Sequence, residues 1–192
     1  MDEDLRKEML RKSFHFVAGL LFAALIYSGI AVWWHFLSLG IVFSSSMLYI
    51  KKTGANVPLI SRFISSIGRE KEFPGLGSIT FIIGALLSSI LFSKYVACAS
   101  LLVLAIGDAV SPIIGKHFGK IKTIFSKRKL IEGFLAGAGF SFIAIIPIVG
   151  VKRAFIGSFI ALFAEFWDET DFIDDNILIP LVAGTVMTIV SA

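Results

Sequence analysis

Residues Leu101–Lys120 read LLVLAIGDAVSPIIGKHFGK, a stretch that begins as a membrane-spanning helix and then takes on an aspartate, a proline and a ladder of small residues. A lone carboxylate at membrane depth costs roughly 2.5 to 3.5 kcal/mol on insertion scales, so Asp108 should be paired, bound to a cation or facing water. Gly107, Ser111, Gly115 and Gly119 recur every fourth residue, leaving one helix face almost without side chains. Two readings of that face stay open. It packs a neighbouring helix, or it lets a ligand come close to the backbone.

Working outward, the chain has 192 residues, 56% hydrophobic and only 17% charged, against about 25% charged for soluble proteins. Mean hydropathy is +0.87. Apolar stretches of near-spanning length fall at 14–30, 31–50, 76–93, 95–115, 134–151, 154–167 and 177–192, and roughly 20 residues are needed to cross. The expected fold is all-α: one domain, a polytopic membrane helix bundle of about seven transmembrane helices, the last two short. The first twelve residues hold four acids and four bases, with no small-residue cleavage site after the apolar run that follows. A retained signal anchor is expected. The single cysteine, Cys98, excludes an intrachain disulfide and reads as a small core residue.

Threading seven spans with the N-terminus inside puts fifteen of the eighteen Lys and Arg residues on one side, leaving Lys94, Lys152 and Arg153 opposite. That bias makes the crowded face cytoplasmic. The net charge of +4 therefore reflects topology, and no nucleic-acid partner is implied. All fourteen acids fall on or near the same face. A face holding both signs suits an anionic ligand bound through a metal.

Arg11, Lys12 and His15 stand three and four residues apart at the entry to the first span, and project to one region of the inner interface. The bland alternative is a positive-inside anchor. His35, beside Trp33 and Trp34, belongs to the outer interface. In the loop 51–78, apolar positions 57, 59, 60, 63, 64 and 67 fit a short interfacial helix, and Glu70 and Glu72 precede Pro74, Gly75 and Gly77. Residues 116–129 form a basic loop that would attract lipid head groups or a polyphosphate. Its GKHFGK is no Walker loop: three residues separate the glycines, and Ile121 follows the lysine. Glu132 opens the fifth span, where the helix dipole favours a carboxylate. Glu165, Asp168, Glu169, Asp171, Asp174 and Asp175 crowd the stretch before Asn176. Most of them read as a hydrated loop, Asp175-Asn176 at the helix entry alternatively as an N-cap, and together with Asp108 the cluster could supply hard oxygen ligands of the kind Mg2+ or Ca2+ takes.

RKSFH at 11–15, FPGLGSITFIIG, IGDAVSPIIGKHFGK at 106–120, KRKLIEGFLAG at 127–137 and DDNILIPLVAG at 174–184 together resemble the CTP-dependent lipid kinases, a family that includes dolichol kinase, phytol kinase and yeast-type diacylglycerol kinase. The likeness spans nearly the whole chain. Leu130 and Phe134 depart from it, standing where the family commonly has Ser or Thr and a small residue. The resemblance implies transfer of the γ-phosphate of CTP to the hydroxyl of a membrane lipid alcohol, with a divalent cation, Mg2+ or Ca2+. In that frame Asp108 and Asp175 hold the metal with Asn176. Arg11, Lys12, Lys120 and Lys129 steady the triphosphate, and Gly107, Ser111, Gly115 and Gly119 let nucleotide or lipid head approach. Glu132, Asp108 and His15 are alternative general bases. Expected partners are the lipid alcohol, CTP and membrane lipids, and a homo-oligomer is left open.

Two rivals share parts of this pattern. A cytidylyltransferase acting on a lipid phosphate uses the same nucleotide and metal, yet SKR at 126–128 lacks the Ser-x-x-Lys-Arg spacing those enzymes resemble. A transporter also places a carboxylate beside a Gly/Pro-rich helix. Its path needs polar groups through the bilayer midplane, and here they gather on one face.

Overall fold

The computed structural model describes residues 3–54, 73, 75–122, 130–165 and 173–190. Seven helices lie among them: α1 (Glu3–Tyr27), α2 (Trp33–Thr53), α3 (Leu76–Leu91), α4 (Lys94–Phe118), α5 (Ile131–Val149), α6 (Val151–Ala164) and α7 (Asp175–Ile189). The only β-pairing among the described residues is an isolated antiparallel bridge between Lys122 and Leu130. The protein is thus the expected all-helical membrane bundle. Helix is the expected solution in lipid, because no water is present to satisfy a backbone amide or carbonyl. The interfacial helix expected at 57–67 lies outside the described residues.

Four helices contain windows long and apolar enough to cross a bilayer: Arg6–Tyr27, Trp33–Thr53, Lys94–Phe118 and Ile131–Val149. The other three, α3, α6 and α7, have 16, 14 and 15 residues. At about 1.5 Å per residue they reach ~21–24 Å, short of the ~30 Å hydrocarbon core. The boundaries move most at α1, which starts at Glu3 rather than near residue 14. Its Glu, Arg, Lys, Met and Leu residues are good helix formers, so the helix continues beyond the apolar run.

Helix α4 is the axis, with α1, α3, α5, α6 and α7 all packed against it. Its residues Val96–Leu101 are buried without interruption, Cys98 among them. α2 packs on α3 and is mostly exposed to lipid. Gly150 alone separates α5 from α6, at φ +81°, a left-handed conformation that only glycine takes cheaply. At the start of α2 the His35 Nδ1 accepts the Val32 N–H at 3.1 Å, so this histidine closes a helix end.

The basic helix ends gather at one end of the bundle. There Lys116 of α4 pairs with Glu8 of α1 at 3.3 Å. The Lys51 ammonium of α2 lies 4.9 Å from the Phe73 ring before α3, and Asn176 of α7 bonds to Gly77 of α3.

Candidate functional site

Asp108 sits just past the middle of α4, the fifteenth of its 25 residues, and is 9% exposed. Four residues on comes Pro112, which has no N–H, so the Asp108 carbonyl loses its normal helical donor. Lys12, one helix away, fills both vacancies. Its Nζ donates to Asp108 Oδ1 at 2.8 Å and to the Asp108 carbonyl at 3.2 Å. The ammonium and carboxylate side chains are 17% and 12% exposed, so the pair meets at the rim, neither free in water nor sealed. Lys12 engages one carboxylate oxygen, Oδ1, and among the described residues no hydrogen bond reaches Oδ2. Glu8 and Glu165 lie within electrostatic range of the same ammonium.

One turn along α1, His15 is 4% exposed and stacks on Phe81 of α3, ring centroids 5.0 Å apart. Its Nε2 is buried with no hydrogen-bond partner among the described residues. Around it stand Asp108, Arg11, Asp174 and Lys12. The start of α3 faces this cluster: a Cβ at Gly77 would lie 3.6 Å from His15 Cε1 and 3.8 Å from Arg11 Cδ. Among the described residues no side chain caps α3, whose N-cap is Gly75 at φ +75°. That backbone needs glycine twice over, since a Cβ would also sit 3.1 Å from Phe43 and 3.2 Å from Met47 Sδ. Ser78 Oγ, in the same first turn, is buried without a partner among the described residues.

Helix α7 enters the same cluster. Asp174 is its N-cap and accepts the Asn176 N–H at 2.9 Å, the ordinary role of an aspartate there. Asn176 Nδ2 donates to the Gly77 carbonyl and to Thr80 Oγ1, each at 3.2 Å. Pro180, four residues on, frees the Asn176 carbonyl as Pro112 frees that of Asp108. Gly84 of α3 packs against that oxygen with no room for a Cβ. Asn176 is therefore first a tie between α7 and α3. Asp175 follows in the first turn, half-buried.

Among the described residues no three His, Cys, Asp or Glu side chains are grouped as round an ion. The donors do suit Mg2+ in another way. That ion commonly uses one or two carboxylates and takes its remaining ligands from phosphates and water.

The small-residue face of α4 packs closely on its neighbours, the first of the two readings left open by the sequence. Gly107 lies against Leu162 of α6, Ser111 and Gly115 against Gly133 and Gly137 of α5, and Gly119 against Leu130. Removing side chains lets α4 and α5 touch along their backbones, the close packing that small residues allow in membranes. Glu132 also has a defined task. Its Oε1 accepts the N–H groups of Lys120 at 2.9 Å and Ile121 at 3.1 Å. Ile131 N donates to the Ile121 carbonyl at 3.0 Å, so the base of the loop between α4 and α5 is closed. Lys120 is exposed on that loop. Lys129, Glu70, Glu72, Asp168, Glu169 and Asp171 lie outside the described residues.

The structure thus gathers Arg11, Lys12, His15 and Asp108 with Asp174 and Asn176, while Glu132, in the first turn of α5, is tied to the backbone of the preceding loop. Gly77, Thr80, Asp174 and Glu165 join the site without having been singled out individually. Gly77 was visible only as part of a glycine turn, and its contact with α1 depends on packing.

No protein-family model matches the chain, and no solved structure matches it. Among curated proteins, the uncharacterized protein RP860 of Rickettsia prowazekii is 32% identical, covering 93% of this chain and 92% of that protein. Phytol kinase 1, chloroplastic, of Arabidopsis thaliana is 26% identical over 92% of the chain, and probable phytol kinase 1, chloroplastic, of Glycine max is 25% identical over 95%. The chain spans 64% and 67% of the lengths of these two plant relatives.

Proposed function

Since the chain belongs to one family with the uncharacterized Rickettsia protein RP860 and is distantly similar to two plant proteins named phytol kinase, we propose that it is a membrane lipid kinase that phosphorylates an isoprenoid alcohol. The observation that carries this reading is the Lys12–Asp108 pair at the rim of the bundle. Phosphoryl transfer needs charge neutralisation and alignment more than covalent chemistry. A carboxylate held by an ammonium, beside Arg11 and His15, offers both.

CTP is the proposed donor, on the resemblance of the five motifs. Arg11 and Lys12 take the triphosphate, and Lys120 and Lys129 add positive charge from the neighbouring loop. As Lys12 turns to phosphate, Asp108 Oδ2 accepts the proton of the lipid hydroxyl. The hydroxyl oxygen forms its bond to the γ-phosphorus, the bond from that phosphorus to the bridging oxygen breaks, and CDP leaves with the electron pair. Asp175 and Asn176, with Asp108, are the residues that would hold Mg2+, which when bound neutralises charge on the phosphates. Glu132 drops out as the base because its carboxylate is tied to backbone amides. His15 Nε2 is too buried to meet a hydroxyl first. The distribution of Lys and Arg supports a cytoplasmic site.

Purified protein given labelled CTP or ATP, Mg2+ and a panel of lipid alcohols should release CDP and an isoprenoid phosphate. Pyrophosphate release would indicate cytidylyl transfer instead. Failure to phosphorylate any alcohol with either nucleotide would refute the kinase reading.

A further inference from the structure

The kinase reading leaves open where a long isoprenoid alcohol reaches the ion pair. Between α1 and α4 lies a cleft of about 360 Å3, the low end of the usual range for small-molecule sites. Met9 and Ser13 of α1 line one side, Ala109, Pro112 and Ile113 of α4 the other. Lys12 lines it too, so the cleft reaches the ammonium side of the ion pair. Glu8 and Lys116, paired at 3.3 Å, bridge α1 and α4 at the charged end.

We propose that this cleft is the acceptor site, admitting the head and first isoprenoid units of the alcohol sideways from the membrane. The assignment rests on the kinase reading for its substrate class. Three features select this occupant. Met9, Ala109, Pro112 and Ile113 give the cleft a mostly apolar surface, which suits a hydrocarbon, while the polar lining of Glu8, Lys12, Ser13, Lys116 and His117 suits a hydroxyl head. Both walls belong to helices long and apolar enough to cross the bilayer. The same face of α1 continues past Ser13 through Val17 and Leu21, which are 63% and 55% exposed, a lipid-facing track for the rest of the tail. Pro112 contributes to both functions, because it lines the cleft and also frees the Asp108 carbonyl to which Lys12 donates.

The test fills the cleft without touching the charged residues. Ile113→Trp should raise the KM for the alcohol by about tenfold or more, the scale of an unfavourable contact in an apolar pocket, with the nucleotide KM unchanged. Phe140→Trp, on an exposed face of α5, should change neither. A rise in nucleotide KM alone, or no change in either, would overturn the assignment. A diazirine-bearing isoprenoid alcohol, photolysed on the wild-type protein without nucleotide, separates the two claims. Label in residues 8–17 and 109–117 that Ile113→Trp abolishes supports the cleft even if no alcohol is ever phosphorylated. Phosphorylation with label confined to other helices would keep the kinase and sink the cleft.

Discussion

Lys12 donates to both the side chain and the backbone carbonyl of Asp108, a residue 96 positions away, at 2.8 and 3.2 Å. The backbone bond exists because Pro112 withholds the N–H that would otherwise occupy that carbonyl. One proline thus converts a membrane helix into a two-point socket for an ammonium.

Breaking a largely buried ion pair by removing one partner costs about 3–5 kcal/mol, because the other charge is left uncompensated. Lys12→Met should therefore lower thermal stability in detergent micelles more than the double variant Lys12→Met/Asp108→Asn. All variants that lack either group should be inactive. Equal stability of the single and double variants would show that the pair carries no coupling.

Pro112→Ala restores the N–H at position 112, which competes with Lys12 for the Asp108 carbonyl. One hydrogen bond contributes about 1 kcal/mol, so kcat should fall roughly fivefold while the protein melts no lower. Unchanged kcat would mean that the freed carbonyl has no bearing on the reaction.

Glu132→Gln keeps an acceptor for the Lys120 and Ile121 amides. Activity should stay within about tenfold of wild type, whereas loss of a general base costs about 10²- to 10⁴-fold. A loss of that larger size would return Glu132 to the chemistry.

Asn176→Asp would be expected to improve a metal ligand, but it removes the donors that reach Gly77 and Thr80. An unmatched buried polar group costs about 1–3 kcal/mol. The variant should melt earlier than wild type, and added Mg2+ should not restore it. Full stability would show that the tie between α7 and α3 is dispensable.

Gly84→Ala should destabilise the bundle, since its Cβ would overlap the Asn176 carbonyl, while Gly139→Ala meets nothing within 4 Å. Both lie inside helices, where alanine is otherwise favoured by about 1 kcal/mol. Melting temperatures should shift in opposite directions. A shared direction would refute the packing at Gly84.

Seven helices were legible because apolar runs bounded by charges are read directly by the bilayer, and a membrane helix satisfies its backbone from within its own segment. Asp108 was legible for the same reason, since a carboxylate among LLVLAIG has to be accounted for. The N-terminus of α7 was readable as well, though the cap is Asp174 rather than the Asp175-Asn176 pair. Helix starts depend on neighbouring residues alone, and their boundaries slip by a position or more.

By itself, then, the sequence determined a polytopic helical bundle, one crowded charged face and a carboxylate that needs a partner. Tertiary structure decided that the partner is Lys12, that α5 packs along most of the glycine face of α4, and that Asn176 binds helix to helix. Those outcomes depend on which helices become neighbours across gaps of tens of residues. Spacing along one chain specifies which side chains share a face, but not what that face will meet.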